Sequence, residues 1–508
     1  MNMKQAFTVP AVRAAEAAAM AAAPDGALMD RAAATLAVVS ARWLQARRGA
    51  VSGSTVVVLA GSGNNGGDAL FAAARLAARG AKVTVCALAD TLHPLGAAAV
   101  RRAGGRIVAL ADLDQDATVP AATLELVATA ELVLDGIVGI GGRGPLRPVA
   151  AALAKAARGR VIAVDLPSGV DPDTGEVADP DACVAAEATV TFGVLKTGLL
   201  LPPASRFAGL VSLIDIGLQS YLTEAADAMQ MDLATAGAAV PIPTATDDKY
   251  TRGVVGVVAG SDQYPGAGIL CSGSARFGGV GMVRYAGGAR TAVVTRWPEV
   301  VPSSELPSAA GQVQAWVIGP GAGVDQGARD RLADAVALEV PIVVDADAIT
   351  LIAESRDLRA ALAARKAPTL LTPHEGEFAR LGGDLSKPGG RLAAVRRLAA
   401  ELSSVILLKG AVTVVAAGSG TAMVSASGPP DLATAGSGDV LAGLVGSMVA
   451  ANAVADDAEL TRVAAAAAYL HGVAGRLAAA DGRPIVSEDV LTSVPAAIAL
   501  ARSGQVGR

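Results

Sequence analysis

The sequence has few aromatics, few cysteines, no block of like charge and no apolar run long enough for a bilayer. Each shortage removes a class of protein. Aromatic residues make up 3% of the 508 positions while apolar residues reach 52%, so the cores must be built from Ala, Val and Leu. The net charge is −5 with no basic stretch, which argues against a nucleic-acid surface. Cys86, Cys183 and Cys271 lie far apart and form no Cys-x-x-Cys pair. Neither a zinc ribbon nor a disulfide framework is expected, and the cysteines read as buried small hydrophobes in a reduced compartment. His93, His374 and His471 are equally scattered, which argues against a histidine metal site. Arg13, Glu16, Asp25, Asp30 and Arg31 interrupt the alanine-rich N-terminus, so it contains no signal-peptide core. The stretch from Val440 to Ala455 is shorter than the ~20 residues a membrane span requires, and reads as a buried helix. A cytoplasmic enzyme is expected, with small-molecule ligands, no membrane or nucleic-acid partner, and self-association left open.

What the chain does contain is alternating strand and helix. From Thr55 to Ile216, short apolar strands (Thr55 to Ala60, Lys82 to Leu88, Glu131 to Asp135, Val161 to Leu166, Ala188 to Phe192, Leu210 to Ile216) alternate with helical stretches such as Gly67 to Arg79. Fully apolar strands separated by helices imply a parallel sheet covered on both faces. The pattern weakens after Gly217 and resumes at Gly253. Strands are expected at Gly253 to Ala259, Gly281 to Tyr285, Ala315 to Ile318, Ile342 to Val344, Thr369 to Leu371, Val405 to Leu408 and Thr413 to Ala416. Two long helices, from Val440 and Thr461, are expected to close the chain. The fold class is α/β in two domains, 1–218 and 246–508, joined by a Pro-interrupted linker at 219–245 with one short helix.

The motifs lie at strand ends, where open parallel sheets bind ligands. Ala433-Thr434-Ala435-Gly436-Ser437-Gly438-Asp439 runs directly into a helix. Free N–H groups at such a start bind phosphate oxygens, and an adjacent Asp can take a proton from an attacking hydroxyl. No Gly-x-x-x-x-Gly-Lys-[Ser/Thr] occurs, so this is phosphoryl chemistry without a Walker loop. In the first half, Gly61-Ser62-Gly63-Asn64-Asn65-Gly66-Gly67-Asp68 fits Gly-x-Gly-x-x-Gly only loosely, because Asp68 would place negative charge where a pyrophosphate should lie. Asp135 and Asp165 each end an apolar strand, which is costly for a carboxylate without a partner. Oxygen donors at Asn65, Asp135 and Ser168 can ligate a hard cation, and the Gly-rich loop around Arg143 can hold phosphates.

Asn64-Asn65-Gly66-Gly67-Asp68 and Asp165-Leu166-Pro167-Ser168-Gly169-Val170-Asp171 resemble the epimerase domain of the NAD(P)H-hydrate repair enzymes. Gly319-Pro320-Gly321-Ala322-Gly323, Val344-Asp345-Ala346-Asp347-Ala348, Leu371-Thr372-Pro373-His374-Glu375-Gly376-Glu377-Phe378, Leu408-Lys409-Gly410 and Ala433 to Asp439 resemble, in order, that family's fused dehydratase domain. The resemblance implies a Rossmann-like first domain and a ribokinase-like second one. It implies that Asn64, Asn65, Gly66, Gly67 and Asp68, with Gly139, Ile140, Gly141, Gly142, Arg143, Gly144 and Pro145, bind the hydrated cofactor. Asp165 would be the acid/base, and Asn65, Asp135 and Ser168 would hold K+. In the second domain it implies hydrated cofactor on Ala267, Gly323, His374 and Asp439. The nucleotide would lie across Lys409, Gly410, Ala411, Val412 and Thr413 and the turn Gly436, Ser437 and Gly438, with Mg2+ assisting and Asp439 as the base. The implied substrates are the hydrates NADHX and NADPHX with ADP, or else ATP. An Arg-rich, Lys-poor, Ala-rich composition suits a bacterial chain, and bacterial members are expected to use ADP. The residues also admit a small-molecule kinase with a cofactor-sensing N-terminal module, or a non-catalytic nucleotide-binding scaffold. An NAD-dependent dehydrogenase comes last, because of Asp68.

Overall fold

The computed structural model describes residues 3–111 and 118–503. The chain forms two compact α/β units, Gln5–Asp227 and Ala228–Arg508 with Met1–Lys4. The first contains strands β1 (Lys4–Phe7), β2 (Thr55–Ala60), β3 (Lys82–Ala87), β4 (Arg106–Ala109), β5 (Leu132–Gly136), β6 (Val161–Val164), β7 (Ala188–Phe192), β8 (Leu195–Lys196) and β9 (Leu210–Ile214). A 7-stranded sheet runs β4-β3-β2-β5-β6-β7-β9, with every pair parallel. The chain winds outward from β2 to β4, then returns to the other side of β2 at β5. That reversal opens a crevice beyond the C-terminal ends of β2 and β5. Alternate side chains explain the unbroken apolar strands. Val56, Val58 and Ala60 enter one core while Val57 and Leu59 enter another on the opposite face. β1 pairs in parallel with β8, setting Phe7 opposite Lys196.

The second unit contains β10 (Ala228–Gln230), β11 (Val254–Val258), β12 (Met282–Tyr285), β13 (Val301–Pro302), β14 (Ala315–Ile318), β15 (Ile342–Val344), β16 (Thr369–Leu371), β17 (Val405–Leu408), β18 (Thr413–Ala416) and β19 (Ala422–Ser425). They run in the order β13-β12-β11-β14-β15-β16-β17-β18-β19-β10. Pairing is parallel except for β17-β18 and β18-β19. The winding reverses between β11 and β14, so the crevice here lies beyond those two strands. The helices Ser437–Ala451 and Asp457–Ala478 carry Val440, Leu444, Val445, Met448 and the run Ala464 to Ala467 into one core with Val255, Val257 and Val317.

Several expectations need correction. A third helix, Ser487–Ser503, follows the two long ones expected to close the chain. Strands β4, β13 and β19 also lie outside the expected set. The segment 219–245 carries β10 as well as a short helix, Leu233–Ala238. The first crossover helix spans Asn64–Ala78, so the Asn-Asn-Gly-Gly run is its opening turn rather than a loop. All three cysteines are buried and free. Among the described residues, no helix is long and apolar enough to cross a membrane.

Small residues let backbones touch. A Cβ on Gly443, in the Ser437–Ala451 helix, would collide with the Cys271 carbonyl and the Ser274 hydroxyl of the helix Pro265–Ala275. Gly443→Ala should therefore destabilise the second unit by roughly 1–3 kcal/mol, as overpacking does. Denaturant unfolding should show an unchanged slope and a lowered midpoint; an unaltered midpoint would contradict the contact.

Candidate active sites

In the first unit, β2 runs through a glycine turn straight into its helix. A Cβ on Gly61 would collide with the Ile137 carbonyl, so this turn packs against the chain leaving β5. Asp135, within β5, is fully buried. Its Oδ2 accepts the Ser168 N–H at 2.8 Å, and its Oδ1 accepts the Ser168 hydroxyl at 2.7 Å and the Ile137 N–H at 3.3 Å. Burial nevertheless pushes its pKa up to about 6. Asn65 is nine-tenths buried and its Nδ2 has no partner. Gly139 is its neighbour: a Cβ there would sit 3.2 Å from Asn65 Cγ. The expected cation-binding residues and the phosphate loop therefore meet at one end of the sheet.

Asp165 follows β6 with φ +67, a left-handed conformation costly for a non-glycine residue. The Leu166 N–H bonds the Val164 carbonyl at 2.8 Å, closing a γ-turn around it. This turn places the carboxylate against β7, where Oδ1 accepts the Thr191 hydroxyl at 3.1 Å and the Phe192 N–H at 3.3 Å. The same oxygen accepts the Lys196 ammonium. Lys196 is only 1% exposed, and its other protons go to Thr191 Oγ1 at 3.0 Å and the Phe192 carbonyl at 3.1 Å. Sequence reasoning missed Lys196. The available signal was its isolation as the lone charge between Glu187 and Arg206.

Asp68 joins this group. Its Oδ1 is buried without a partner. Burial, with the charges of Asp165 and Glu16, raises its pKa well above the carboxylate range, with Lys196 opposing. Desolvation thus disfavours the negative charge expected at this helix start. Arg143 is 71% exposed, 3.3 Å from Asp171 and 4.0 Å from Asp173.

In the second unit, Lys409 follows β17. It is not a surface lysine: 19% of its side chain is exposed, and Nζ lies 2.8 Å from Asp345 and 3.7 Å from Glu377. Burial opposes its charge, but Asp345, Glu377 and Asp439 outweigh that and raise its pKa. The helix Ser437–Ala451 starts on Gly436 at φ +86, and a Cβ there would sit 2.6 Å from Leu270 Cδ1. Only glycine suits that position. On the first turn, a Cβ on Gly438 would sit 3.6 Å from Lys409 Nζ, so the ammonium faces the helix start. Asp439 lies on the same turn. Burial, then the charge of Asp345, raises its pKa to about 7 against the pull of Lys409.

The remaining expected residues are placed by turns. Gly323 N–H donates to Asp347 at 2.8 Å, and a Cβ on Gly321 would sit 2.6 Å from the Ala267 methyl, which brings Ala267 to the Gly319–Gly323 turn. His374 caps the helix Glu375–Arg380: Nδ1 accepts the N–H of Gly376 at 3.0 Å and of Glu377 at 3.2 Å. It is therefore a structural cap, with 56% of its side chain still open to solvent. Two further residues escaped the sequence reading. Buried Arg391 donates to the Lys409 carbonyl at 3.0 Å and to Glu375 at 2.6 Å, fixing the Lys409–Gly410 turn. His471, whose pKa burial lowers to about 4, lies 3.4 Å from the Ser437 hydroxyl. Ala411, Val412 and Thr413 lead from that turn into β18.

Residues 255–495 match the family model described as NAD(P)H-hydrate dehydratase, and residues 25–198 match the one described as YjeF-related protein N-terminus. The bifunctional NAD(P)H-hydrate repair enzyme Nnr of Mycobacterium leprae is 46% identical over 489 residues, covering 95% of this chain and 96% of that protein. The enzyme of the same name from Mycobacterium tuberculosis H37Rv is 47% identical over 453 residues, covering 88% and 89%. This chain belongs to the bifunctional NAD(P)H-hydrate repair enzyme family. Among solved structures, the ADP/ATP-dependent NAD(P)H-hydrate dehydratase of Bacillus subtilis, co-crystallised with ATP and Mg2+, is 26% identical with a TM-score of 0.45. It covers 52% of this chain and 96% of its own length. Every site residue expected from the sequence, and Lys196 too, lies inside the two matched segments of this family member.

Two predictions follow from the geometry. Lys196→Met should cost about 3 kcal/mol or more, because it leaves the Asp165 charge buried without its partner. Adding Asp165→Asn should recover much of that loss in denaturant unfolding; a double variant as unstable as the single one would disprove the pairing. If Asp439 acts as a base, kcat/KM of the second unit should rise with pH through about 7, since its raised pKa keeps it protonated below that point. A profile flat from pH 6 to 8 would exclude Asp439 from that role.

Proposed function

We propose that the first unit interconverts the R and S hydrates of NADH and NADPH, and that the second dehydrates the S hydrate using ADP, with ATP as the alternative donor, releasing phosphate. One observation carries the reading. In each unit a largely buried lysine lies against a carboxylate at the C-terminal end of a parallel strand, Lys196 with Asp165 and Lys409 with Asp345.

For dehydration, Asp439 takes the proton of the ring C6 hydroxyl as its oxygen attacks the terminal phosphorus of the nucleotide. N–H groups on the Gly436–Asp439 turn and the Lys409 ammonium stabilise the charge of the transferring group. The resulting phosphate ester is a competent leaving group. Its C6–O bond breaks with loss of the C5 proton, restoring the ring double bond and freeing phosphate. Among the described residues no three His, Cys, Asp or Glu side chains converge as a metal-binding group. Mg2+, commonly held by one or two carboxylates and the nucleotide phosphates, would supply further charge neutralisation.

For epimerisation, the neutral Asp68 protonates the departing C6 hydroxyl, the ring nitrogen lone pair forms a C=N bond, and water returns on the opposite face. Asp165, ion-paired with Lys196, takes the proton of that water. The roles exchange for the reverse direction, as microscopic reversibility requires. The Asn65, Asp135 and Ser168 oxygens form a hard donor set suited to K+. The buried Asp135 carboxyl fits such an ion, which would supply charge that favours its ionised form.

The test is absorbance recovery from a mixture of R and S hydrates with each nucleotide. Asp439→Asn should lose ~10²–10⁴-fold in dehydration while still binding nucleotide. Asp165→Ala should consume the S fraction promptly and leave the R fraction, and K+ depletion should mimic it. Rapid consumption of both epimers by Asp165→Ala would remove the epimerase role from the first unit.

A further inference from the structure

The charges that break the apolar N-terminus acquire a use in the fold. Arg13 and Glu16 lie on the helix Val9–Ala22, which precedes the matched segment 25–198. The helix is pinned at its start, where the Val9 N–H donates to Asp173 at 2.6 Å. Asp173 is one of the two carboxylates flanking Arg143. Positions 9, 13 and 16 fall on one helical face. Glu16, one turn beyond Arg13, faces the first site, since its carboxyl responds to the charges of both Lys196 and Asp165. The Arg13 guanidinium lies over the glycine loop: a Cβ on Gly141 would sit 3.7 Å from its Nη2.

The charge balance at that loop points the same way. Arg143, the loop's own cation, already faces Asp171 and Asp173. Arg13 has no carboxylate within the 4.0 Å of an ion pair among the described residues. A phosphate approaching the Gly139–Gly144 loop therefore meets one arginine within ion-pair distance of two aspartates and one whose neighbouring carboxylate, Glu16, interacts with it only from beyond that distance. Guanidinium is the side chain best matched to phosphate oxygens.

We infer that Arg13, from the N-terminal helix, binds a phosphate group of the hydrated dinucleotide at the Gly139–Gly144 loop and so sets substrate affinity in the first unit. This rests on the epimerase reading above. The experiment measures epimerisation of hydrated NADH and of hydrated NADPH by the full-length protein and its Arg13→Ala and Arg13→Lys variants. Thermal unfolding and dehydration of the S hydrate serve as controls. Arg13→Ala should raise the epimerisation KM about tenfold with kcat nearly kept, as loss of one charge-assisted contact predicts. Arg13→Lys should recover part of the loss. A penalty on both substrates assigns the contact to the pyrophosphate; a penalty on hydrated NADPH alone assigns it to the 2′-phosphate. Unchanged KM for both substrates in Arg13→Ala overturns the inference, as does a fall in kcat and melting temperature with KM constant. Wild-type protein that leaves the R hydrate untouched would instead overturn the epimerase reading itself.

Discussion

A carboxylate at the end of a buried parallel strand cannot stay charged on its own, and the rest of each site is arranged around that constraint. In the first unit Lys196 meets the need at Asp165, at the cost of burying an ammonium that must in turn be saturated by Thr191 and the Phe192 carbonyl. The neighbouring Asp68 is left without a hydrogen-bond partner at Oδ1 and is pushed toward its neutral form. One of two similar acids thus gains a buried ammonium as its partner, while the other is left with an oxygen that accepts no hydrogen bond. In the second unit Lys409 stands among Asp345, Glu377 and Asp439. A single ammonium cannot neutralise all of them, and burial together with the charge of Asp345 leaves Asp439 with a pKa of about 7.

Much of this was legible in the sequence because the determinants are local. Ala188–Phe192, Ala315–Ile318, Ile342–Val344, Thr369–Leu371, Val405–Leu408 and Thr413–Ala416 fall where continuous apolar runs place them. Gly436 and Asp439 announce a glycine-opened helix start because the turn and its carboxylate are neighbours in the chain. The illegible parts are contacts between distant positions. Lys196 reaches Asp165 across 31 residues, and Arg391 reaches Lys409 across 18. No spacing rule connects them. Arg13 and Glu16 were visible only as interruptions, since their meaning depends on where the helix lies against the Gly139–Gly144 loop. His374 shows the reverse case, in which a residue singled out for ligand binding also has a complete local explanation as a helix cap.

The scarcity of aromatics has a structural counterpart. Without large rings to fill gaps, the cores close by bringing backbones together, and glycine and alanine take over where side chains would otherwise keep elements apart. The contact of Gly443 with the Cys271 carbonyl and the turn of Gly61 against Ile137 both depend on a missing Cβ. Such packing leaves little tolerance for a single added methyl group. It also fixes the relative heights of the strand ends within each sheet, and so the positions of the groups that emerge from them.

The γ-turn at Asp165 bears on how this position can change over evolutionary time. At φ +67 the backbone favours glycine or asparagine over nearly every other residue. Substitutions that relax the strain and remove the need for a buried lysine would make the first unit easier to fold and, under the proposed role of Asp165, would silence its chemistry. Selection for stability alone would therefore tend to erase this residue. Its presence, together with an ammonium saturated by neighbouring oxygens, marks a place where folding free energy has been given up.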